Sequence, residues 1–274
     1  MTKLEINKYI VKYIDHPKTG RKCIVQYWRV VKAILYKLKT GIQWHLLPMK
    51  QFFQRFDYQW SSVYYHFNKW CKMGVWEKLY SNLLQANSNK VDLQFINLDG
   101  SHTASKRGGK AVAYQGRKKS KTSNLLIITD SKGCPIVCSD VISGNHNDAF
   151  KLKKMATKMF NKMEHFGFRV EGLFLNADAG FDVQEFKKLC FQRDIIYNID
   201  RNKRNTKALQ EDDYIFDHEL YKGRFSVEQC NAWVDNFRSM LLRQETSAQN
   251  WLQAHYLTFT MIFLKKNFNL TFSF

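Results

Sequence analysis

The stretch Phe95-Ile96-Asn97-Leu98-Asp99 decides the predicted fold, because it is a short apolar run that ends in an acid. A second run of the same kind, Gly172-Leu173-Phe174-Leu175-Asn176-Ala177, leads into Asp178. Short apolar runs of this length are typical of buried strands. Parallel strands present functional groups at their carboxyl ends. The two runs therefore predict a sheet in which two strands end in acids.

The segments around these runs alternate between strand-like and helix-like patterns. Asp130-Ser131-Lys132-Gly133 is a hairpin turn pattern between two apolar stretches. Three sequential strands, then helix, strand, helix, strand and helix, is the order of a ribonuclease-H-like domain, so the predicted fold class is α/β. The predicted strands are 95–99, 124–129, 136–142, 172–177 and 194–199, and the predicted helices are about 148–164, 182–191 and 225–243.

The first 90 residues differ, because their apolar side chains recur at helical spacing over 23–40, 61–74 and 75–84. Three short helices rich in Lys, Arg, Trp and Tyr predict an all-α, helix-turn-helix-like domain. Its exposed face offers Lys69 and Lys72 to DNA phosphates. A small helical bundle with its aromatic side chains in the core is the alternative.

A polar segment at 85–92 breaks the helical period and predicts a domain boundary. We expect a helical DNA-binding domain at 1–90 and a ribonuclease-H-like catalytic domain at 91–274. The first of these carries 16 Lys and Arg against 4 Asp and Glu, which favours a role in binding DNA.

The whole chain is basic, with a formal net charge of +19 over 274 residues. Such a surface attracts polyanions, so double-stranded DNA is the predicted partner, and a merely soluble basic protein is the alternative. Residues 104–123 hold seven Lys and Arg and no acid. We expect this loop, with Arg117, Lys118 and Lys119, to follow a DNA backbone near Asp99. A second basic loop contains Arg201, Lys203, Arg204 and Lys207.

The six cysteines are scattered and no signal peptide precedes them, which favours free thiols in a reducing cytoplasm. Cys134 and Cys138 lack a second pair at the spacing of a zinc site. The apolar run from Tyr256 to Leu264 is too short to cross a bilayer, so no membrane association is expected. It predicts a buried helix or strand.

Asp99, Asp178 and Glu228 suggest phosphoryl transfer when they are considered together. Mg²⁺ prefers a few carboxylates plus water and phosphate oxygens, and two such ions support in-line displacement at a phosphodiester. Each acid alone has an ordinary alternative. Asp99 suits a turn, Asp178 suits a helix cap although Asp182 suits it better, and Glu228 suits a surface ion pair with Arg224 four residues earlier.

The ordered set of motifs resembles that of the bacterial insertion-sequence DDE transposases of the IS5/IS4 type, over residues 20–265. The matching segments are Leu98-Asp99-Gly100-Ser101-His102, Gly144-Asn145-His146-x-Asp148, Asn176-Ala177-Asp178-Ala179-Gly180-Phe181-Asp182, Tyr221-x-x-Arg224-x-x-x-Glu228, and at the front Thr40-Gly41-Ile42-Gln43-Trp44-His45-Leu46-Leu47-Pro48.

The resemblance implies that Asp99, Asp178 and Glu228 are the catalytic residues and the ligands of two Mg²⁺ ions, for which Mn²⁺ can substitute. It also implies that Tyr221 and Arg224 support the third acid or contact terminal DNA. Where the family's fullest signature has Lys, this chain has Asp235, and Arg238 is the candidate for the same phosphate contact.

The leading hypothesis is a transposase that binds terminal inverted repeats, cleaves DNA at the element ends and joins the 3′ hydroxyls to target DNA. Pairing of two ends implies a homodimer on DNA. A nuclease of the same fold that does not join, and a catalytically decayed DNA-binding derivative, are the alternatives. His102 and His146 stand outside the triad, because a histidine beside a carboxylate is more often its hydrogen-bonded partner than a catalyst.

Overall fold

The computed structural model describes residues 1–15, 23–54, 57–202 and 216–271. The basic residues Lys203, Arg204 and Lys207 lie outside these ranges. The chain divides into two compact units, Met1–Ala86 with Val234–Phe274, and Asn87–Trp233. The C-terminal segment is thereby grouped with the N-terminal helices, whereas the division into domains at residues 90 and 91 stays a prediction.

The helices and strands are numbered in chain order. The helices are α1 Lys3–Tyr9, α2 Tyr27–Thr40, α3 Met49–Phe53, α4 Trp60–Lys72, α5 Val75–Gln85, α6 Leu152–His165, α7 Gln184–Gln192, α8 His218–Lys222, α9 Phe225–Asp235, α10 Arg238–Leu241 and α11 Ala248–Phe268. The strands are β1 Ile96–Ser105, β2 Ala113–Gln115, β3 Ser120–Thr129, β4 Pro135–Cys138, β5 Ile142–Ser143, β6 Phe174–Ala177, β7 Ile196–Ile199 and β8 Leu242–Arg243.

The sheet of the second unit has the order β2-β3-β1-β6-β7. β3 runs antiparallel to β1, and β4 and β5 run antiparallel to β3. β6 is parallel to β1, and β7 is parallel to β6. An antiparallel hairpin followed by two parallel strands on its far edge is the ribonuclease-H-like arrangement, so the predicted α/β fold class is confirmed.

β1 is longer than expected, because it continues six residues past the predicted end at Asp99 to Ser105. The antiparallel partner β3 pairs with it from Asn97 to Ala104, and this pairing keeps the polar second half extended. Asp99 therefore lies inside a strand, opposite Ile127, and the interpretation of Asp99-Gly100-Ser101 as a turn is wrong.

Two predicted helices also differ. The single helix expected over 225–243 is interrupted, because α9 ends at Asp235 and Phe237 adopts an extended conformation before α10. The side chain of Phe237 is buried at this break, with 6% exposed. The helix expected from 148 begins instead at Leu152, after Lys151, whose φ of 51° is left-handed.

The first unit is helical, as predicted. Its longest helix, α11, is buried along its whole circumference from Asn250 to Leu264, and Ser247 caps it by accepting a hydrogen bond from the Asn250 N–H. It packs against α4 and α5. The run from Tyr256 to Leu264 is thus a buried helix. Among the described residues, no helix has the length and apolarity to cross a membrane.

Candidate active site

Asp99 and Asp178 occupy matching places on neighbouring parallel strands. Leu98 of β1 pairs with Ala177 of β6, and an aspartate directly follows each of these two residues in the sequence. β6 ends at Ala177, so the backbone of Asp178 turns away there, while β1 continues. The two aspartates consequently lie at the same edge of the sheet, and the charge of Asp178 acts on Asp99.

Asp99 is a strongly perturbed acid. Its side chain is 19% exposed, and burial together with repulsion from Asp178 and Asp148 raises its pKa from 3.8 to about 6. Arg224 and the Gly100 N–H act in the opposite direction without cancelling the rise. Asn231 of α9 donates a hydrogen bond from Nδ2 to Asp99 Oδ2 at 3.2 Å. Like charges held together in a partly buried site are typical of functional centres.

Glu228 reaches this pair through Arg224. The guanidinium places Nη1 3.8 Å from Asp99 Oδ1 and Nη2 3.1 Å from Glu228 Oε1. It also lies 5.8 Å from the centre of the Tyr221 ring. The carboxylate of Glu228 is more open, with 52% of its side chain exposed. The interpretation of Arg224 and Glu228 as an ordinary surface ion pair is therefore incomplete, because the same arginine also faces a buried aspartate.

Asp178, not Asp182, is the capping residue of its segment. Asp178 accepts a hydrogen bond from the Gly180 N–H at 2.8 Å, at the start of the short helical turn Ala179–Phe181. Asp182 forms an ion pair with Lys187, and α7 begins without a side-chain cap. The expectation that Asp182 caps the helix is wrong, because the turn between β6 and α7 starts earlier than the sequence suggested.

A fourth carboxylate, Asp148, joins the site and was not singled out as a site residue from the sequence. It packs on the backbone of Gly100, where an added Cβ would lie 2.2 Å from Asp148 Oδ1. Asn124 donates to that same oxygen at 2.6 Å. The sequence carried two clues, namely the glycine directly after Asp99 and the position of Asp148 in the Gly144-Asn145-His146-x-Asp148 motif.

The two histidines play separate parts. His102 Nε2 lies 3.8 Å from Asp148 Oδ1, and its Nδ1 lies 3.3 Å from the Thr122 hydroxyl. Burial lowers the pKa of His102, and the positive charges of Lys118 and Arg117 lower it further. The negative charge of Asp148 acts in the opposite direction and raises this pKa. His102 is therefore hydrogen-bonded to Thr122 and is an electrostatic neighbour of Asp148. His146 instead stacks on Phe150, with ring centres 3.5 Å apart.

The predicted DNA-contact residues fall on separate elements. Arg117, Lys118 and Lys119 are exposed in the turn between β2 and β3, and the first two act electrostatically on His102. In the first unit, Lys72 is exposed at the end of α4 and Lys69 is half-buried. Arg238 is exposed at the first position of α10, with its Cβ against Gly41.

The donor set fits hard divalent cations, although it is not a preformed cage. Asp99, Asp178, Asp148 and Glu228 offer only carboxylate oxygens, which are the ligands that Mg²⁺ and Mn²⁺ prefer. No group of three or more acidic, histidine or cysteine side chains within the described ranges is arranged to hold a metal ion. The positive charge of Arg224 stands between Asp99 and Glu228, so we expect metal binding to require movement of this guanidinium.

Comparisons with known proteins point the same way. A family model described as "Putative transposase of IS4/5 family" (DUF4096) matches residues 5–80, and one described as "Transposase DDE domain" matches residues 90–264. The search of curated proteins gives no match.

Solved structures of Mos1 transposase resemble this chain at low identity. The paired-end complex with left transposon end matches with a TM-score of 0.30 at 12% identity, over 89% of this chain and 79% of that chain. The catalytic domain of Mos1 mariner transposase matches with 0.31 at 9%, over 71% and 92% respectively. These scores are low, so the fold assignment rests on the strand order.

The DDE model spans more than half of the sequence, and its range includes Asp99, Asp178 and Glu228. The motifs that suggested the family lie in the ranges of the two models, in the expected order. The chain therefore belongs to the IS4/IS5-type DDE transposases, enzymes of metal-dependent DNA cleavage and transfer.

Proposed function

We propose that this transposase binds the terminal inverted repeats of its element, cleaves DNA at the element ends and joins the 3′ hydroxyls to target DNA. One observation carries the proposal. Asp99 and Asp178 follow paired residues on parallel strands, and Arg224 joins Asp99 to Glu228. A chain with a net charge of +19 attracts DNA, and such a set of acids can hold the cations that act on a phosphodiester.

Asp99, Asp178 and Glu228 would hold the two ions, with Asp148 beside Asp99. Bound divalent cations relieve the negative charge of the phosphate and favour a nucleophilic oxygen. The protein's own contribution is to hold Asp99 and Asp178 in register and to keep Asp99 shielded from water. Arg224 compensates the charge of Asp99 and Glu228 in the metal-free protein, and it is then available for a DNA phosphate.

The DNA contacts are proposed from exposure and charge. Arg117, Lys118 and Lys119 form the exposed tip of a hairpin whose charge acts on His102, three residues beyond Asp99, so this tip suits the DNA strand that enters the site. Further contacts are proposed for Tyr221, Arg238, Lys69 and Lys72. Pairing of two element ends requires two copies of the chain, so we propose a homodimer on DNA, acting at the nucleoid in the cytoplasm.

The test is a strand-transfer assay with a labelled, pre-cut repeat end, a target plasmid and Mg²⁺ or Mn²⁺. We expect the wild type to join label to plasmid and Asp99→Ala to give no product. Asp140→Ala is the matched control, because Asp140 is a partly exposed acid of the same unit that pairs with Lys158. It should join as the wild type does.

Other outcomes would replace the proposal. Nicked plasmid without joined label would identify a nuclease that hydrolyses and does not join. Binding to the repeat without any metal-dependent product would identify a decayed DNA-binding derivative. Equal joining by wild type and Asp99→Ala would remove Asp99 from the catalytic set.

A further inference from the structure

Three buried asparagines lie side by side across the parallel half of the sheet. Asn97 of β1 pairs in register with Asn176 of β6, which pairs with Asn198 of β7. Their exposures are 0%, 0% and 4%. A buried primary amide costs free energy unless it is hydrogen-bonded, and apolar side chains could fill such positions without that cost. Three amides in a row therefore require an explanation.

The amides form a directed chain of hydrogen bonds, which we call the asparagine ladder. Asn198 Nδ2 donates to Asn176 Oδ1 at 2.9 Å, and Asn176 Nδ2 donates to Asn97 Oδ1 at 3.1 Å. Asn97 Nδ2 then donates to the Ser226 hydroxyl at 2.8 Å. Each amide orients the next, so the three side chains act as one unit.

The ladder also holds the segment from Asp217 to Ser226 at several points. Asn198 donates to the Asp217 carbonyl and accepts from the Asp217 N–H, both at 2.9 Å. Asn176 donates to the Leu220 carbonyl at 3.0 Å. With the bond to the Ser226 hydroxyl at the far end, these contacts hold the residue before α8, the middle of α8 and the first turn of α9.

Position along the strands links the ladder to the acids. Asn97 precedes Asp99 by two residues, and Asn176 precedes Asp178 by two. Side chains two residues apart on a strand share a face, so Asn97 lies on the same face of β1 as Asp99. Asn176 pairs with Asn97 and lies near the end of β6, directly before the turn that carries Asp178. The segment that it holds carries Tyr221 and Arg224 and leads into Glu228.

A tight backbone contact strengthens this attachment. A Cβ at Gly223 would lie 2.4 Å from the ring of Phe95, the residue directly before β1. The segment from Asp217 to Ser226 therefore lies so close to the sheet at Gly223 that no side chain fits there. This contact and the ladder restrain the same segment.

We infer that Asn97, Asn176 and Asn198 are positioning residues that set the place of Arg224 and Glu228 relative to Asp99 and Asp178. They touch neither substrate nor metal, since they are buried. The inference rests on the proposed function for the meaning of the acids, and it concerns how the third acid is held. If the ladder only satisfied its own amides, its removal would cost stability and leave the site unchanged.

The test uses two variants and two controls in the full-length protein. Asn176→Leu removes the central amide, and Ser226→Ala removes only the hydroxyl at the end of the ladder, so it keeps the inference testable if the first variant does not fold. Ser226→Thr retains the hydroxyl and should rescue. Leu175→Ala is the second control, because Leu175 is the neighbouring buried residue on β6 and points to the opposite face.

Two readouts decide the matter without DNA. The first is hydrogen exchange of residues 217–228 in the metal-free protein, which we expect to accelerate at least about tenfold in both variants. The second is Mn²⁺ affinity by electron paramagnetic resonance, which we expect to fall about 10- to 100-fold, as when residues that support metal ligands are removed. Ser226→Thr should change neither readout. Leu175→Ala should not accelerate exchange in residues 217–228 more than in the rest of the protein, and it should leave Mn²⁺ affinity unchanged.

Unchanged exchange in the 217–228 segment would overturn the inference. Faster exchange with unchanged Mn²⁺ affinity would also overturn it, because the ladder would then hold a segment without positioning the site. If the wild type fails in strand transfer, the proposed function fails, whereas these two readouts still decide the role of the ladder.

Discussion

Buried charge is treated in opposite ways in the two units of this protein. In the first unit, Lys37 is 5% exposed, with Nζ 3.7 Å from Glu245 Oε1 and a hydrogen bond to the Ser239 hydroxyl. Trp44 donates from Nε1 to Glu245 Oε1 at 3.0 Å. In the second unit, Asp99 has Asp178 and Asp148 as neighbours and one arginine against them.

Lys37 has an opposite charge beside it, whereas Asp99 has mainly like charges, and this difference indicates separate roles for the two groups. Burial lowers the pKa of Lys37, and Glu245 counteracts this effect, so the pair balances a buried charge between α2 and the segment before α11. Burial and like charges both raise the pKa of Asp99, so the metal-free fold is strained electrostatically at that point. A cluster of acids that costs stability is a sign that a cation is expected to complete it.

Asp99→Asn should have the largest effect, because it should lower activity while raising the stability of the metal-free protein. Strand transfer should fall by about 10³-fold or more if Asp99 is the metal ligand that we propose. The metal-free protein should become more stable above pH 6. A pKa raised in the fold means that the native state binds the proton more tightly, so stability falls as pH rises from about 4 to about 6, and asparagine removes this loss of up to about 3 kcal/mol. Thermal unfolding at pH 7.5 measures it, and a lower Tm would break the comparison.

Glu245→Ala should do the reverse and destabilise the first unit by about 3–5 kcal/mol, because it leaves Lys37 buried without its counter-charge. The double variant Lys37→Met with Glu245→Leu should recover most of this stability. Urea unfolding measures both. Glu171→Ala, which breaks an exposed ion pair with Arg169, is the control and should have little effect. A destabilisation no larger than that of the control would contradict the pairing argument.

Metal binding should depend on pH with a midpoint near 6. Below that pH a proton on Asp99 competes with the ion, and Mn²⁺ affinity should fall by up to about tenfold per pH unit. Arg224→Gln sharpens the test, because it removes a charge that lowers the pKa of Asp99 and should move the midpoint upward. A wild-type midpoint near 4 would show that Asp99 is an ordinary acid. Mn²⁺ titrations between pH 5 and 8 provide the measurement.

The smallest effect is expected at the hairpin tip. Replacement of Arg117, Lys118 and Lys119 by Gln should weaken DNA binding and reduce the slope of log affinity against log salt by about 0.9 for each phosphate that the protein no longer neutralises. The pKa of His102 should rise, because two charges that lower it are removed. Fluorescence anisotropy and NMR titration measure the two effects. The matched control replaces the exposed Lys153, Lys154 and Lys188, and an equal slope change there would argue against a specific contact.

The two units also differ in how far sequence reasoning reaches. The apolar runs before Asp99 and Asp178 predicted parallel strands correctly, because a buried strand needs an apolar run of that length. The continuation of β1 to Ser105 was missed, since its polar residues are kept extended by pairing with β3 and not by their own pattern.

The parts of the candidate site that the sequence did not predict depend on contacts between residues that are far apart in the chain. Asp148 lies 49 residues after Asp99 and meets it only because Gly100 leaves room. The asparagine ladder leaves a weak pattern in the sequence, namely an asparagine two residues before Asp99 and another two residues before Asp178. That spacing becomes informative only once β1 and β6 are known to be parallel and in register.

Helix α11 has a consequence for the genetics of the element. Since it is buried from Asn250 to Leu264, it forms the interior of the first unit and is not a dispensable tail. A frameshift or stop codon a few codons before residue 248 would leave every acid of the candidate site encoded. We expect such a copy to be silent all the same, because the helices that surround α11 would lose their core. Intact catalytic motifs are therefore a poor guide to which genomic copies can still move.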